Sequence, residues 1–410
     1  MKKLTIPLVD LKREYAFLKK GIGRQIKDCL ASQHWILGEK VTQFEKELSK
    51  YLKSKYIIGL NSGTDAIILS LRAQAMKLKG KEYFDKEDEI ITTPFTFIAT
   101  AEAIIRSGAT VVFVDIDPET FNINPQCIRE AINKNTVGIL PVHLFGLACD
   151  MENIVEIAKE NDLFIVEDVA QAFGAGYVSE DRGQKIEDRK KLGTIGNCGA
   201  FSFFPSKNLG SYGDAGAIST DDRKVAELIV TLRNHGQTHQ YDANYIGYNS
   251  RLDSIQAAIL LAKLKYVDKF NNLRIKIAQK YHDGLKNIKN IYLPSAIPST
   301  RPSARLRTSF GRCHMPSSTP QHVYNLYTIK VAANIRDGML KFLNSAGIQA
   351  RSYYPLPLHK MEAFKTAKIS GNLINTEEAS RGVLSLPVNP FLKNREIDYI
   401  IENIRVLAKK

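Results

Sequence analysis

The run LFIVEDVAQAFGA at 163–175, followed by GAFSFFPSKNLG at 199–210, decides the fold of this chain. Leu163–Glu167 reads as an apolar strand that ends on two acids, Glu167 and Asp168. Gly199–Phe204 reads as a second apolar strand, broken at Pro205 just before Lys207. Apolar runs without polar alternation mark strands covered on both faces. Working outward, further strands are predicted at Tyr56–Leu60, Glu89–Thr93, Val111–Asp115, Val137–His143 and Ala217–Thr220. Helices are predicted between them at Ala66–Ala75, Phe97–Ser107 and Asn153–Glu160. Another precedes them at Lys40–Leu52, where Val41, Phe44, Leu48 and Leu52 share one face. This alternation predicts an α/β large domain with a mostly parallel central sheet flanked by helices. In such sheets ligands bind beyond the carboxyl ends of the strands.

After a long helical region at Asp253–Leu285 the pattern changes. Prolines punctuate Leu293–Pro320, and then follow a predicted strand at Val323–Val331 and helices at Arg336–Ala346 and Glu396–Leu407. The expected organisation is a large domain over 1–270 and a smaller α+β domain over 271–410. Segment 299–318 holds Arg301, Arg305, Arg307 and Arg312 and no lysine in an otherwise lysine-rich chain. It receives no functional assignment.

The chain has 410 residues, 44% hydrophobic and 24% charged, a composition suited to a globular protein with ample core. No apolar run approaches the roughly 18–20 residues of a membrane helix. MKKLTIPLVDLKREY at the start does not read as a secretory leader. Cys29, Cys127, Cys149, Cys198 and Cys313 are scattered without a C-x-x-C, so the expected setting is a reducing cytoplasm. The net charge of +14 comes from dispersed residues such as Lys19, Lys20, Lys77, Lys79 and Lys81. That reads as a solvated surface with some pull on anionic small molecules. Neither a nucleic acid nor a membrane is an expected partner.

Three features meet at the strand ends. Ser62-Gly63-Thr64 lies between a strand and a helix, where backbone N–H groups and hydroxyls can cap the helix or bind a phosphate. A buried Asp168 needs a cationic or hydrogen-bonding partner. Lys207, placed after a buried strand, is positioned to act as an amine nucleophile towards a carbonyl. An aldehyde for Lys207, a phosphate for Ser62–Thr64 and Ser202, and a pyridinium for Asp168 add up to one cofactor, pyridoxal 5′-phosphate (PLP). No metal is expected. His235 and His239 are four apart but have no evident third ligand, and Gly210, Gly213 and Gly216 do not form a dinucleotide fingerprint.

With these residues in view, the sequence resembles the DegT/DnrJ/StrS family of PLP-dependent sugar aminotransferases, which have the fold-type-I aminotransferase architecture. The resemblance runs from residues 7–11 through Asn61–Ala66, Thr93–Thr100, Pro141–Gly146, Glu167–Ala175, Ser202–Gly210 and Gly247–Ala258 to Arg351–His359. It implies that Lys207 holds PLP and later shuttles the proton, that Asp168 pairs with the ring nitrogen, and that Gln171 contacts the ring hydroxyl side. Phe97 would stack on the ring, and Gly63, Thr64 and Ser202 would bind the phosphate. Asn249 would reach the phosphate in a neighbouring subunit, which makes the expected assembly a homodimer with shared active sites. Arg251, Tyr354 and His359 would lie near the sugar.

The implied reaction moves an amino group from an amino acid, L-glutamate in most of the family, to a nucleotide-linked keto-sugar. Lysine at 207 favours transamination over the related dehydratases, which resemble this chain but carry histidine there. GYNSRLD at 247–253 and YGDAG at 212–216 resemble members acting on 3-keto rather than 4-keto sugars. A product destined for surface polysaccharide is the expectation. Two stretches depart from the family pattern, Tyr177–Leu192 and Arg301–Ser318. The rival from another class is a non-catalytic regulatory or nucleic-acid-binding protein on the same fold.

Overall fold

The computed structural model describes residues 5–179, 190–294 and 318–408. Its centre is an eight-stranded sheet: β1 (Tyr56–Leu60), β2 (Glu89–Thr92), β3 (Thr110–Phe113), β4 (Thr136–Ile139), β5 (Phe164–Asp168), β6 (Cys198–Ser202), β7 (Gly216–Thr220) and β8 (Lys368–Ile369). The spatial order is β1-β7-β6-β5-β4-β2-β3-β8. Pairing is parallel from β6 across to β8, and β7 runs antiparallel to both of its neighbours. The mostly parallel α/β sheet expected from the sequence is therefore the one that forms.

Helices cover both faces because their apolar residues have nowhere else to go. The helix α1 spans Leu11–Ser32, α2 spans Glu39–Leu52, α3 spans Gly63–Lys79 and α4 spans Ile98–Arg106. Val41, Phe44, Leu48 and Leu52 of α2 are all buried, as their spacing requires. Every residue of α3 from Ala66 to Met76 is buried, so α3 is enclosed on all sides rather than lying on the surface. The Ser62 hydroxyl caps α3 by accepting from the Asp65 N–H at 3.1 Å, and Gly80 closes it in a left-handed conformation.

Beyond the large sheet, Ile291–Tyr292, Tyr327–Val331 and Val383–Leu386 form a small antiparallel sheet. Its core joins Tyr281, Leu285, Ile329, Leu343, Leu384 and Ile400, with Ile6 from the start of the chain. Ile6 is held there by exchanged backbone bonds with Gly347 and Gln349 at 2.8 and 2.9 Å.

Several elements differ from their expected form. The single helical region expected at Asp253–Leu285 is two helices, Ser254–Leu264 and Val267–Leu285, with the break at Lys265-Tyr266. The strand expected from Val323 starts at Tyr327, because the preceding residues bond across to the Phe145-Gly146 turn instead. Helix α1 was not anticipated. Its buried residues are only Leu18, Ile22 and Cys29, too sparse a stripe to stand out among its charges.

The two departures from the family pattern meet: Gly176–Ser179 pairs with Lys190–Lys191 on one side and Ser318–Pro320 on the other. Residues 180–189 of the first departure lie outside the described residues. So does the arginine-rich stretch 299–317 of the second, including Cys313. Among the described residues, no helix is long and apolar enough to cross a membrane.

Candidate active site

The carboxyl ends of β5 and β6 lie side by side, with Asp168 paired in register to Ala200. Beside them α3 begins, and its first residue, Gly63, approaches the last residue of β6, Ser202. A β-carbon on Gly63 would lie 2.5 Å from the Ser202 β-carbon. The start of α3 and the Ser202 hydroxyl thus lie together in one cradle, which suits an anion such as a phosphate. Ser62 also belongs to this turn, but its hydroxyl is already engaged as the helix cap.

Asp168 is 5% exposed. Its Oδ1 accepts from the Ala170 N–H at 3.1 Å, and its Oδ2 accepts from the Thr100 hydroxyl at 2.9 Å. Burial is the largest influence on this carboxyl and raises its pKa, opposed by the Ala170 N–H, the Thr100 hydroxyl and the charges of Lys207 and His143. Lys207 follows β6 in a turn, its N–H donating to Phe204 O at 2.9 Å. Burial lowers the pKa of its amine, and Asp168 acts in the opposite direction. The acid and the amine therefore sense each other across the strand ends. A buried carboxylate that its own neighbours only partly compensate suits a cationic ring nitrogen. An amine with a depressed pKa suits an aldehyde. By donor chemistry and by the Gly63–Ser202 cradle, the residues present fit PLP.

The rest of the site is built on aromatic rings. Gln171 Oε1 accepts from the Phe145 N–H at 2.9 Å, and its Nε2 donates to the Tyr354 hydroxyl at 2.9 Å. Burial raises the Tyr354 phenol, so it stays protonated. The Tyr354 ring lies 6.5 Å from that of Phe97, which is 57% exposed despite its size. An exposed phenylalanine at the end of a buried strand–helix connection does not serve to fill the core.

The other expected residues are more scattered. Asn249 is exposed, and its carbonyl accepts from the Asn61 side chain at 3.4 Å. Arg251 Nη1 donates to Asn234 Oδ1 at 2.9 Å, while its buried Nε has no protein partner among the described residues. His359 Nε2 lies 3.2 Å from Glu377 Oε1, a carboxylate that also binds Lys360 at 2.8 Å. His359 Nδ1 is buried without a partner among the described residues. The neighbouring Leu358 N–H donates to Pro94 O at 2.9 Å, tying this segment to the connection that carries Phe97.

The structure also separates the two acids at the end of β5. Glu167 is fully buried and accepts from the N–H groups of Ile195, Gly196 and Gly193 at 2.7, 2.8 and 2.9 Å, and it lies 3.1 Å from His143 Nε2. Since His143 Nδ1 accepts from the Cys149 N–H at 3.0 Å, the ring proton sits on Nε2 and points at Glu167. Burial opposes ionisation of Glu167, but His143 and the backbone donors outweigh it and keep its pKa below the ordinary value. Glu167 is thus a structural lock on the 193–196 turn.

Thr96, Thr100 and His143 were not singled out from the sequence. A threonine on the apolar face of α4, among Ala99, Ala101, Ala103 and Ile104, was the only sign of Thr100. Among the described residues, no group of three or more His, Cys, Asp or Glu side chains converges as a metal site.

The family model for the DegT/DnrJ/EryC1/StrS aminotransferases matches residues 18–405. A protein of Geobacillus stearothermophilus named pleiotropic regulatory protein is 38% identical over 98% of this chain and 98% of its own length. The dTDP-3-amino-3,4,6-trideoxy-alpha-D-glucose transaminase of Streptomyces venezuelae is 34% identical, over 99% of this chain and 97% of that protein. Among solved structures, NtdA from Bacillus subtilis with bound cofactor PMP superposes with a TM-score of 0.81 at 31% identity. That match covers 99% of this chain and 86% of the other.

Proposed function

The chain belongs to the DegT/DnrJ/EryC1/StrS aminotransferase family, and from that premise we propose that it is a PLP-dependent transaminase whose acceptor is a nucleotide-linked 3-keto sugar and whose donor is L-glutamate. The observation that carries the chemistry is that Lys207 and the buried carboxylate of Asp168, which follow and end the adjacent strands β6 and β5, influence each other's charge.

Bound PLP supplies an aldehyde that captures the donor's amino group and an electron sink for the carbanion left when the α-proton departs. Lys207 would hold the cofactor through its amine and, once released, would serve as the base and acid that carries the proton. Burial lowers the pKa of this amine and so favours the neutral form that such work requires. Asp168 holds a proton at the ring nitrogen, which makes the electron sink effective. Gly63, Thr64 and Ser202 bind the phosphate, Phe97 covers the ring face, and Gln171 bonds on the ring hydroxyl side. Asn249 reaches the phosphate of a second subunit, so the working unit is a homodimer with shared sites. Arg251, Tyr354 and His359 face the sugar. The large domain over 1–270 carries the cofactor, and the smaller domain over 271–410 supplies Tyr354 and His359 on the sugar side. The product serves surface polysaccharide synthesis in the cytoplasm.

Support for a 3-keto rather than a 4-keto acceptor comes from the GYNSRLD and YGDAG stretches and from the 3-amino product named for the Streptomyces relative. The Geobacillus relative's name favours a second reading, a regulatory protein. A non-catalytic protein has no use for a buried carboxylate facing an amine with a depressed pKa, because that arrangement costs stability. The deciding experiment is an absorbance titration of PLP-loaded protein with L-glutamate, with Lys207→Ala alongside. Conversion of the visible band in wild type, and its absence in the variant, is expected. Product from candidate keto-sugar nucleotides is then located by NMR. If the wild type reconstituted with PLP shows no visible band, the transaminase reading is wrong.

A further inference from the structure

Thr96 and Thr100 are threonines buried beside Asp168, 2% and 1% exposed, in the connection from β2 to α4 and in the first turn of α4. Their hydroxyl oxygens lie 3.1 Å apart, and Thr100 Oγ1 is 2.9 Å from Asp168 Oδ2. Each hydroxyl has one proton to give. An ionised Asp168 has none, so Thr100 donates to Asp168 and Thr96 must donate to Thr100. The direction of the whole chain follows from the charge at its end. A threonine in a helix ordinarily spends its proton on a backbone carbonyl one turn back, whereas Thr100 spends it on a side chain of another strand. Phe97, the proposed cover of the cofactor ring, sits between the two threonines in sequence.

We propose that Thr100, oriented by Thr96, is a positioning residue that keeps Asp168 ionised and turns the free lone pairs of its carboxylate towards the cofactor's ring nitrogen. The proposal rests on the reading of Asp168 as the ring-nitrogen partner. With Oδ1 bonded to the Ala170 N–H and Oδ2 to Thr100, the carboxylate is clamped at both oxygens and cannot rotate. The charged and titratable groups near it are Lys207, His143, Tyr354 and Cys149, with Glu167 beside it in the chain. The donors Thr100 and Ala170 offset part of the burial that would otherwise neutralise it. Without the Thr100 proton, the proton shared with the ring nitrogen moves towards Asp168 and the ring loses positive charge. A less positive ring lets the lysine-bound cofactor hold its own proton to higher pH.

The test is a pH titration of the visible band of the PLP-loaded protein, together with PLP affinity and the kcat and KM of the glutamate half-reaction. Thr100→Val is expected to move the titration midpoint upward by about one unit, the worth of a hydrogen bond to a charged group. It is expected to lower kcat about tenfold with little change in KM. Thr100→Ser restores both, and Thr96→Val gives a smaller shift in the same direction. A folded Thr100→Val with wild-type midpoint and kcat overturns the proposal. Should Thr100→Val not fold, a wild-type midpoint in Thr96→Val does so. Asp168→Asn separates the two levels. If it leaves the midpoint unchanged, the reading of Asp168 fails. If it shifts the midpoint and Thr100→Val does not, only the role of Thr100 fails.

Discussion

Gly63 and Ser202 touch through the space a side chain would fill: a β-carbon on Gly63 would lie 2.5 Å from Cβ and 3.0 Å from Cα of Ser202. The start of α3 and the end of β6 can therefore share one small anion only while residue 63 is glycine. Gly63→Ala should push the two elements apart at a cost of about 1–3 kcal/mol in stability. PLP affinity measured by equilibrium dialysis should fall by at least about tenfold, the loss of one charge-assisted bond. Ser202→Ala should weaken PLP binding while leaving Tm nearly unchanged. Wild-type affinity in both variants would show that the phosphate lies elsewhere.

Asp168 should trade stability for function. Its pKa is raised in the native state, so the folded protein binds this proton more readily than the unfolded chain does. The cost of ionised Asp168 is therefore complete above its native pKa and is relieved as pH falls through it. Asp168→Asn is expected to give a cofactor-free protein at least as stable as wild type at neutral pH. Turnover should fall by about a hundredfold or more, as expected when a charge facing the reacting system is removed. Thermal melts of the cofactor-free protein and half-reaction rates would check both.

His322 predicts acid lability. Its ring stacks on Tyr324 with centroids 3.8 Å apart, its Nδ1 accepts from the Tyr324 N–H at 3.1 Å, and burial drives its pKa down to about 3. The native state keeps the ring neutral, whereas an unfolded histidine titrates near 6.5. The stability tied to neutral His322 is fully present above pH 6.5 and is lost as pH falls from there to about 3. The slope should reach up to about 1.4 kcal/mol per pH unit in that window. His322→Asn should be less stable at neutral pH through lost stacking, and its Tm should depend less on pH across the same window.

Arg72 anchors the exposed segment around Ile246 from the core. Its guanidinium is fully buried, donates from Nη1 to Ile246 O at 2.6 Å and from Nη2 to Glu82 Oε2 at 2.8 Å, and lies 4.0 Å from the Tyr83 ring centroid. Glu82 Oε2 in turn accepts from the Ile246 N–H at 3.1 Å, so one ion pair grips both sides of a single residue. Arg72→Lys cannot reproduce this fork. It should cost about 3 kcal/mol or more and speed hydrogen exchange through residues 241–249. Glu82→Gln, less buried, should have the same effect at smaller size.

Much of the fold was legible because buried parallel strands have a plain signature. The apolar runs at 56–60, 89–92, 164–168 and 198–202 allow little else. Helix α2 was legible from its four-residue apolar stripe. Helix α1 was not, because it buries few residues and leaves Tyr15, Phe17 and Leu30 exposed. The break at Lys265-Tyr266 carries no glycine or proline, so no local signal announces it.

For the site, residue chemistry alone pointed to Lys207, Asp168 and the Ser62–Thr64 turn, since a lysine and an acid at buried strand ends are costly without a purpose. The expectation named Asp168 rather than Glu167, a choice that residue chemistry alone does not explain. Glu167 and Asp168 are adjacent and identical in charge, and successive strand residues point to opposite faces. Glu167 turns to the backbone of the 193–196 turn and Asp168 to Thr100 and Lys207, and only the packed neighbours make that assignment.

By itself the sequence determined that this chain forms a covered, mostly parallel sheet and that Lys207, an acid pair and the Ser62–Thr64 turn lie at its strand ends. These are consequences of local order and polarity. Only the tertiary structure decided that Gly63 meets Ser202, that Thr100 serves Asp168, and that His359 meets Glu377. Those pairs are far apart in the chain. Their meeting depends on strand order and helix packing, which are set by the burial of the whole core rather than by any local run of residues.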